Sequence, residues 1–245
     1  WILVSVLLVF IAYAFFGNVL PGWLSFRGFG LEPAIEISTM TTAGVLGITT
    51  STSADFIFYF IMFGAFYGAI GGGQLFIDLA IRLAGRAVGG PAKTAIISSS
   101  LMGSISGSAV ANVVSTGVFT IPLMKRCGMK DHRAAGVEAI ASTGGQLMPP
   151  VMGAGAFIMA EITGIPYSEI IIAAALPCLL FYLAIFLTVD LQARRLGLNG
   201  VPRSELPRLR ELGRDAFLLL PLAVLLYLLL SGYSIIAAGT WGLAA

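Results

Sequence analysis

The stretch Gly103-Ser104-Ile105-Ser106-Gly107-Ser108-Ala109-Val110-Ala111-Asn112 decides how this chain folds. It is small and hydroxyl-rich, and it lies between Lys93 on one side and Lys125 and Arg126 on the other. Basic residues concentrate in cytoplasmic loops, so both flanks belong on one side of a bilayer. About 30 residues separate them, too few for two crossings of ~20 each. The segment therefore enters the membrane and returns without crossing, with its tip at the quoted residues. Small residues let two such arms pack closely. Non-helical backbone at membrane depth is tolerated only where it is buried in protein or lines a water-filled cavity.

The rest of the composition agrees with a bilayer. Hydrophobic residues make up 58% of the 245 and charged residues 11%, with a mean hydropathy of +0.94. Soluble domains carry about 25% charged residues. The net charge of +2 and the two cysteines, Cys127 and Cys178, exclude little and define neither a disulfide framework nor a metal motif. Nothing in this pattern calls for nucleic acid. Apolar stretches at residues 1–16, 56–70, 167–189 and 215–230 read as spanning helices, and 233–245 as the start of another. Both ends lie inside apolar runs, and the chain reads as a fragment of a longer protein.

Of the 14 Lys and Arg, 13 fall in three groups, at 82–93, 125–133 and 194–214, and Arg27 stands apart. Placing the three groups in the cytoplasm makes residues 131–161 cross outward. That crossing is interrupted at Ser142-Thr143-Gly144-Gly145-Gln146-Leu147-Met148-Pro149-Pro150. Two prolines remove backbone donors and bar helix from the residues before them. The segment reads as two half-helices with a break near the midplane. Three regions follow: 1–53, a transmembrane helix and outside loop; 54–190, with an interfacial helix, the hairpin and the broken helix; and 191–245, a basic cytoplasmic loop and further spans. The fold class is an all-α integral membrane bundle. Asp78 and Arg82, four apart, are expected to pair on the interfacial helix.

A hairpin tip and a helix break meeting in the bilayer place freed carbonyls and helix ends together, as in secondary transporters. The side chains at both are neutral oxygen carriers, suited to Na⁺; carboxylates, His or Cys would be needed for tight divalent sites. Helix N-termini favour an anionic substrate group. Packing of Gly/Ser-rich helices with no ligand is the alternative. Glu138, two turns into the crossing helix, is expected to pair with Arg133 or a neighbour at the rim, with a proton relay as its other reading. His132, beside Lys130 and Arg133, reads as a solvated rim residue, and residues 198–214 as a loop touching anionic lipid. A serine hydrolase fails because Ile105 occupies the centre of the Gly-Ser-Ile-Ser-Gly run and His132 lies at the rim, away from any base role. A channel would want a continuous polar pore.

The run 103–112, then Ile121-Pro122-Leu123-Met124-Lys125-Arg126, Ser142-Thr143-Gly144-Gly145-Gln146 and Pro149-Pro150 resemble the large permease domain of TRAP transporters (DctM-like) over residues 56–190. The resemblance is nearest to fused permeases that work with TAXI-type binding proteins, and Gly89-Gly90-Pro91-Ala92-Lys93 fits that subgroup. Dicarboxylate-type relatives typically carry Asp where this chain has Asn112. The resemblance implies one half of an inverted-repeat, elevator-type permease in the bacterial inner (cytoplasmic) membrane. It implies Na⁺-coupled import of a small organic anion supplied by a periplasmic substrate-binding protein, with no cofactor and no enzymatic activity. The remaining permease half and a small membrane subunit or domain would complete it. By position, Ser106, Ser108, Asn112, Ser142, Thr143, Gly144 and Gly145 become sodium-site candidates, and Gln146, Pro149 and Pro150 line the substrate side. Proton coupling or a channel-like subunit are the alternatives.

Overall fold

The protein is described from a computed structural model, which covers residues 1–42 and 44–245; Ala43, in the expected outside loop, lies outside the described residues. It divides into two units, Trp1–Ser51 and Thr52–Ala245.

The first unit holds α1 (Ile2–Phe16), α2 (Leu31–Thr39) and the start of α3 (Ile48–Thr52). α1 is apolar on every side and buries none of its residues, as expected of a helix facing lipid or a neighbouring span. Between α1 and α2 the chain is more ordered than the expected loop. Two 3₁₀ turns, Gly17–Val19 and Gly22–Leu24, fold it back on α1. Tyr13 donates to the Leu24 carbonyl (2.9 Å), and the Phe26 ring packs 5.1 Å from that of Tyr13.

In the second unit, α4 (Phe58–Ala69) leads into α5 (Gly72–Ala84), α6 (Gly90–Ser106), α7 (Ala109–Arg126), α8 (Asp131–Gly144), α9 (Ala154–Thr163) and α10 (Tyr167–Leu196). α11 (Leu209–Asp215), α12 (Leu220–Leu230) and α13 (Ile235–Ala244) close it. Among the described residues, four helical runs are long and apolar enough to cross a membrane: Ile2–Val19, Ile48–Ala69, Tyr167–Leu196 and Arg203–Leu230. The second and fourth begin earlier than the apolar stretches suggest, because helical turns also form in the polar residues that precede them.

α6 and α7 are the two arms of the expected hairpin. At ~1.5 Å per residue they are about 26 and 27 Å long, short of a ~30 Å hydrocarbon core. Their connection is two residues. Gly107 ends α6 with a left-handed φ of 57°, and Ser108 caps α7 by accepting from the Ala111 N–H at 3.3 Å. α8 packs against both arms. Beyond it the helix breaks as expected, through a 3₁₀ turn at Gly145–Leu147, a cis Pro149–Pro150 bond and Met152 at positive φ, before α9 begins. The α10 helix ends at Gly197 (φ 63°), with Arg194 and Arg195 in its last turn.

Two cores hold these parts. Near the hairpin base, Ala92, Ala95, Met124, Ala134, Ala141 and Ala193 form an alanine-rich cluster that brings α6, α7, α8 and α10 close. Near the tip, aromatic rings dominate: Phe157 stacks between Phe60 (5.2 Å) and Tyr167 (4.6 Å). The Tyr167 hydroxyl lies 2.9 and 2.7 Å from the Pro150 and Val151 carbonyls, fastening the break to α10.

α5 is amphipathic, burying Leu75, Phe76, Ile77 and Ala80. The expected Asp78–Arg82 pair is absent among the described residues. Asp78 instead accepts from Gln74 Nε2 at 2.9 Å, one turn the other way. Burial pushes the Asp78 carboxyl above the usual carboxylate range, Asp215 and Glu211 add to this, and the Gln74 bond opposes it. A raised folded-state value favours the protonated form, so the stability this group contributes is present at low pH and lost as pH rises through its folded-state range. Asp78→Asn is therefore expected to flatten the decline in thermal stability above the carboxylate range. Melting curves of the detergent-solubilised permease at several pH values read this directly.

Candidate functional site

The hairpin tip is seated on the helix break by backbone contact. A Cβ on Gly103 would lie 2.3 Å from the Gly145 Cα, and one on Gly107 would lie 1.8 Å from the Met152 carbonyl oxygen. The Val151 N–H donates to the Ser104 carbonyl (3.3 Å), and Gly153 N–H to the Gln146 carbonyl (2.8 Å). Glycine is required where two backbones come this close.

The sequence-predicted residues separate into groups. Ser106, Ser108 and Gln146 face a cavity of about 240 Å³ beside the tip, walled by Ile57, Phe60 and Phe157. The buried Ser106 Oγ has no hydrogen-bond partner among the described residues. α7 and α9 both begin at this cavity, and α9 has no side-chain cap, so two sets of helix-end N–H groups gather there. Gln146 also lines an adjoining space of about 560 Å³ toward α10.

Asn112 and Ser142 lie elsewhere, in a buried polar cluster between the arms and α8. Asn112 Nδ2 donates to the Ser99 carbonyl (2.8 Å) and reaches that of Ser142 (3.5 Å). Gly144 is pressed against the Phe181 ring, and Gly145 against Gly103 and the Asn112 amide. Thr143 does not join them. It is exposed, and its hydroxyl bonds its own helix at Ala139 O (2.7 Å), because neighbouring helical residues point about 100° apart. Pro149 and Pro150 line neither cavity; they shape the break, with the Pro150 carbonyl held by Tyr167.

Glu138 differs most from expectation. It makes no pair with Arg133 and is fully buried. Its carboxylate is surrounded by four hydroxyls: Ser99 and Ser142, each 3.1 Å from Oε1, with Thr116 closer on Oε1 and Thr120 on Oε2. All four carriers are at most 1% exposed. Leaving water costs an ionised carboxylate several kcal/mol unless it is well partnered, and here the partners are neutral. Two basic residues of the hairpin base are used elsewhere: Lys93 pairs with Asp190, and Lys125 with Asp131 at 3.0 Å. Ser99, Thr116 and Thr120 escaped the sequence reading, although Asn112, Thr116 and Thr120 at spacing four form one stripe of α7, and Glu138 and Ser142 one stripe of α8.

A family model for the DctM component of tripartite ATP-independent periplasmic transporters matches residues 1–245. The chain belongs to this family. It is 31% identical over 148 residues to the C4-dicarboxylate TRAP transporter large permease protein DctM of Pseudomonas aeruginosa, covering 60% of this chain and 34% of that protein. It is 28% identical over 155 residues to the 2,3-diketo-L-gulonate TRAP transporter large permease protein YiaN of Escherichia coli K12, covering 63% and 35%. The isethionate TRAP transporter permease protein DctMQ of Oleidesulfovibrio alaskensis is 35% identical over 92 residues, 38% of this chain and 14% of that one. The chain spans about a third of the length of the first two of these curated relatives. As a DctM-family chain it is a multi-pass membrane transporter component; its relatives are named as permeases and not as enzymes.

Proposed function

We propose that this DctM-family chain is the first hairpin-and-break half of a secondary importer in the bacterial inner membrane. Such an importer couples inward Na⁺ movement to uptake of a small organic anion delivered by a periplasmic binding protein. The observation that carries this reading is the glycine-mediated seating of the hairpin tip on the helix break, beside a cavity onto which two helices open their N-termini. That geometry suits a carboxylate or sulfonate at the cavity. The relatives named for 2,3-diketo-L-gulonate, C4-dicarboxylates and isethionate all point to organic anions. Neutral oxygens at the tip and break, from Ser106, Ser108 and the Gly144 and Gly145 carbonyls, suit Na⁺. The second half of the permease would supply a matching hairpin, and an elevator-like movement of the hairpin unit would expose the cavity to each side in turn.

The test is uptake into proteoliposomes by the full-length permease with its binding protein, with and without an inward Na⁺ gradient, comparing wild type with Asn112→Ala. Asn112 ties α6 to α8 through two carbonyls, so its loss is expected to weaken Na⁺ dependence sharply. Wild-type uptake indifferent to the Na⁺ gradient would remove sodium from the reading. A proton as coupling ion is the second reading, favoured by the buried Glu138.

A further inference from the structure

Glu138 is fully buried and forms no ion pair among the described residues. The elements packed around it, α6, α7 and α8, turn only Ser99, Thr116, Thr120 and Ser142 toward the carboxylate. Their titratable groups point away: Lys93 bonds to Asp190, Lys125 to Asp131, and Arg133 lines a separate space against α10. From α10, Tyr182 donates to the Ala141 carbonyl (3.0 Å).

The threonines have two places for their single protons. Thr116 can donate to Glu138 or to the Asn112 carbonyl four residues back (2.8 Å), and Thr120 to Glu138 or to the Thr116 carbonyl (3.0 Å). With the carboxylate bare, all four hydroxyl protons point at it. With a positive charge on the carboxylate, Thr116 and Thr120 can turn their protons to the backbone and present lone pairs instead. A hydroxyl has one donor and two acceptor lone pairs, so this reversal requires only rotation about Cβ–Oγ. The cluster is thus complete in two states that differ by one positive charge.

We infer that Glu138, with Ser99, Thr116, Thr120 and Ser142, is a binding site for one monovalent cation taken up and released in each transport cycle. The inference rests on the transporter reading and adds a charged cation site between the hairpin arms and α8, separate from the neutral oxygens of the tip and break. The ring touches both hairpin arms and α8, so occupancy bears on how the hairpin seats on the break. Neutralising the site permanently should therefore uncouple transport without stopping it.

The experiment uses the full-length permease with its binding protein in proteoliposomes and compares Glu138→Gln with wild type in two assays. One is gradient-driven accumulation of labelled substrate; the other is exchange of labelled for unlabelled substrate with no ion gradient. Glu138→Gln is expected to lose accumulation and keep exchange. Glu138→Asp is expected to restore accumulation with a higher half-maximal cation concentration. Applying a Na⁺ gradient at constant pH, or a pH gradient at constant Na⁺, shows whether the cation is sodium or a proton, and either supports the site if the Gln variant no longer responds. Accumulation by Glu138→Gln equal to wild type overturns the inference. So does parallel loss of accumulation and exchange in a variant whose melting curve matches wild type, because that marks a structural role. If the Gln variant does not fold, Thr120→Val serves instead: it removes the Oε2 partner and is expected to shift the half-maximal cation concentration, and an unshifted value overturns the inference. Wild-type protein that accumulates substrate under neither gradient overturns the transporter reading itself.

Discussion

Gly107→Ala is expected to unseat the hairpin tip and abolish transport. Two penalties fall on one residue. Its φ of 57° is left-handed, which costs an L-residue about 1–2 kcal/mol. Its new Cβ would also lie 1.8 Å from the Met152 carbonyl oxygen, so backbone must move, and overpacking of this kind typically costs about 1–3 kcal/mol. Gly103→Ala keeps an ordinary helical conformation yet meets the Gly145 Cα at 2.3 Å, so it carries the second penalty alone. The expected order of melting temperature is wild type, then Gly103→Ala, then Gly107→Ala, with substrate exchange lost in the last. Gly136 on α8 supplies the control. Nothing lies within 4 Å of a Cβ there, and Gly136→Ala should stabilise by up to about 1 kcal/mol through helix propensity. Were all three substitutions equivalent, the tip would not be seated on the break as described.

These glycines mark the boundary of what could be read from sequence. The hairpin and the break were legible because their causes are local: spacing between basic groups, a Gly-Ser tip, and paired prolines that no helix accommodates. The long apolar runs were legible for the same reason, with ends displaced where helix continues into polar residues. The interior of the site was not, because it depends on how three helices are phased about one another. Ser142 and Thr143 look interchangeable in a list of hydroxyls, yet only Ser142 faces the arms while Thr143 bonds its own helix. The close approach of Gly103 to Gly145 sets the register in which Ser99, Thr116 and Glu138 meet, and these lie 17 to 39 residues apart. Spacing of four along α7 and α8 hinted at the two stripes. Nothing in the chain announced that they face each other, so Glu138 was assigned to the nearest base.

Lys93 entered the sequence reading only as a marker of the cytoplasmic side, and its partner stands 97 residues away. Asp190→Ala is expected to lower the melting temperature more than Lys93→Met does. The Lys93 side chain is 7% exposed, with its Nζ bonded to Asp190 and 5.2 Å from the centre of the Phe186 ring. Removing Asp190 leaves that ammonium buried with the ring as its one remaining partner among the described residues, and stranding a buried charge is destabilising. Water reaching Asp190, which is 17% exposed, moderates the loss. Lys93→Met should cost less. Asp190 then keeps Arg194, whose Nε donates to its other oxygen at 2.8 Å, and the methionine refills the space of the lysine stem. The double variant Lys93→Met with Asp190→Leu should melt above Asp190→Ala alone, because an apolar replacement of both partners strands no charge. Melting temperatures of the three variants in detergent test the asymmetry. Equal losses in the two single variants would mean that Arg194 gives Asp190 no second anchor.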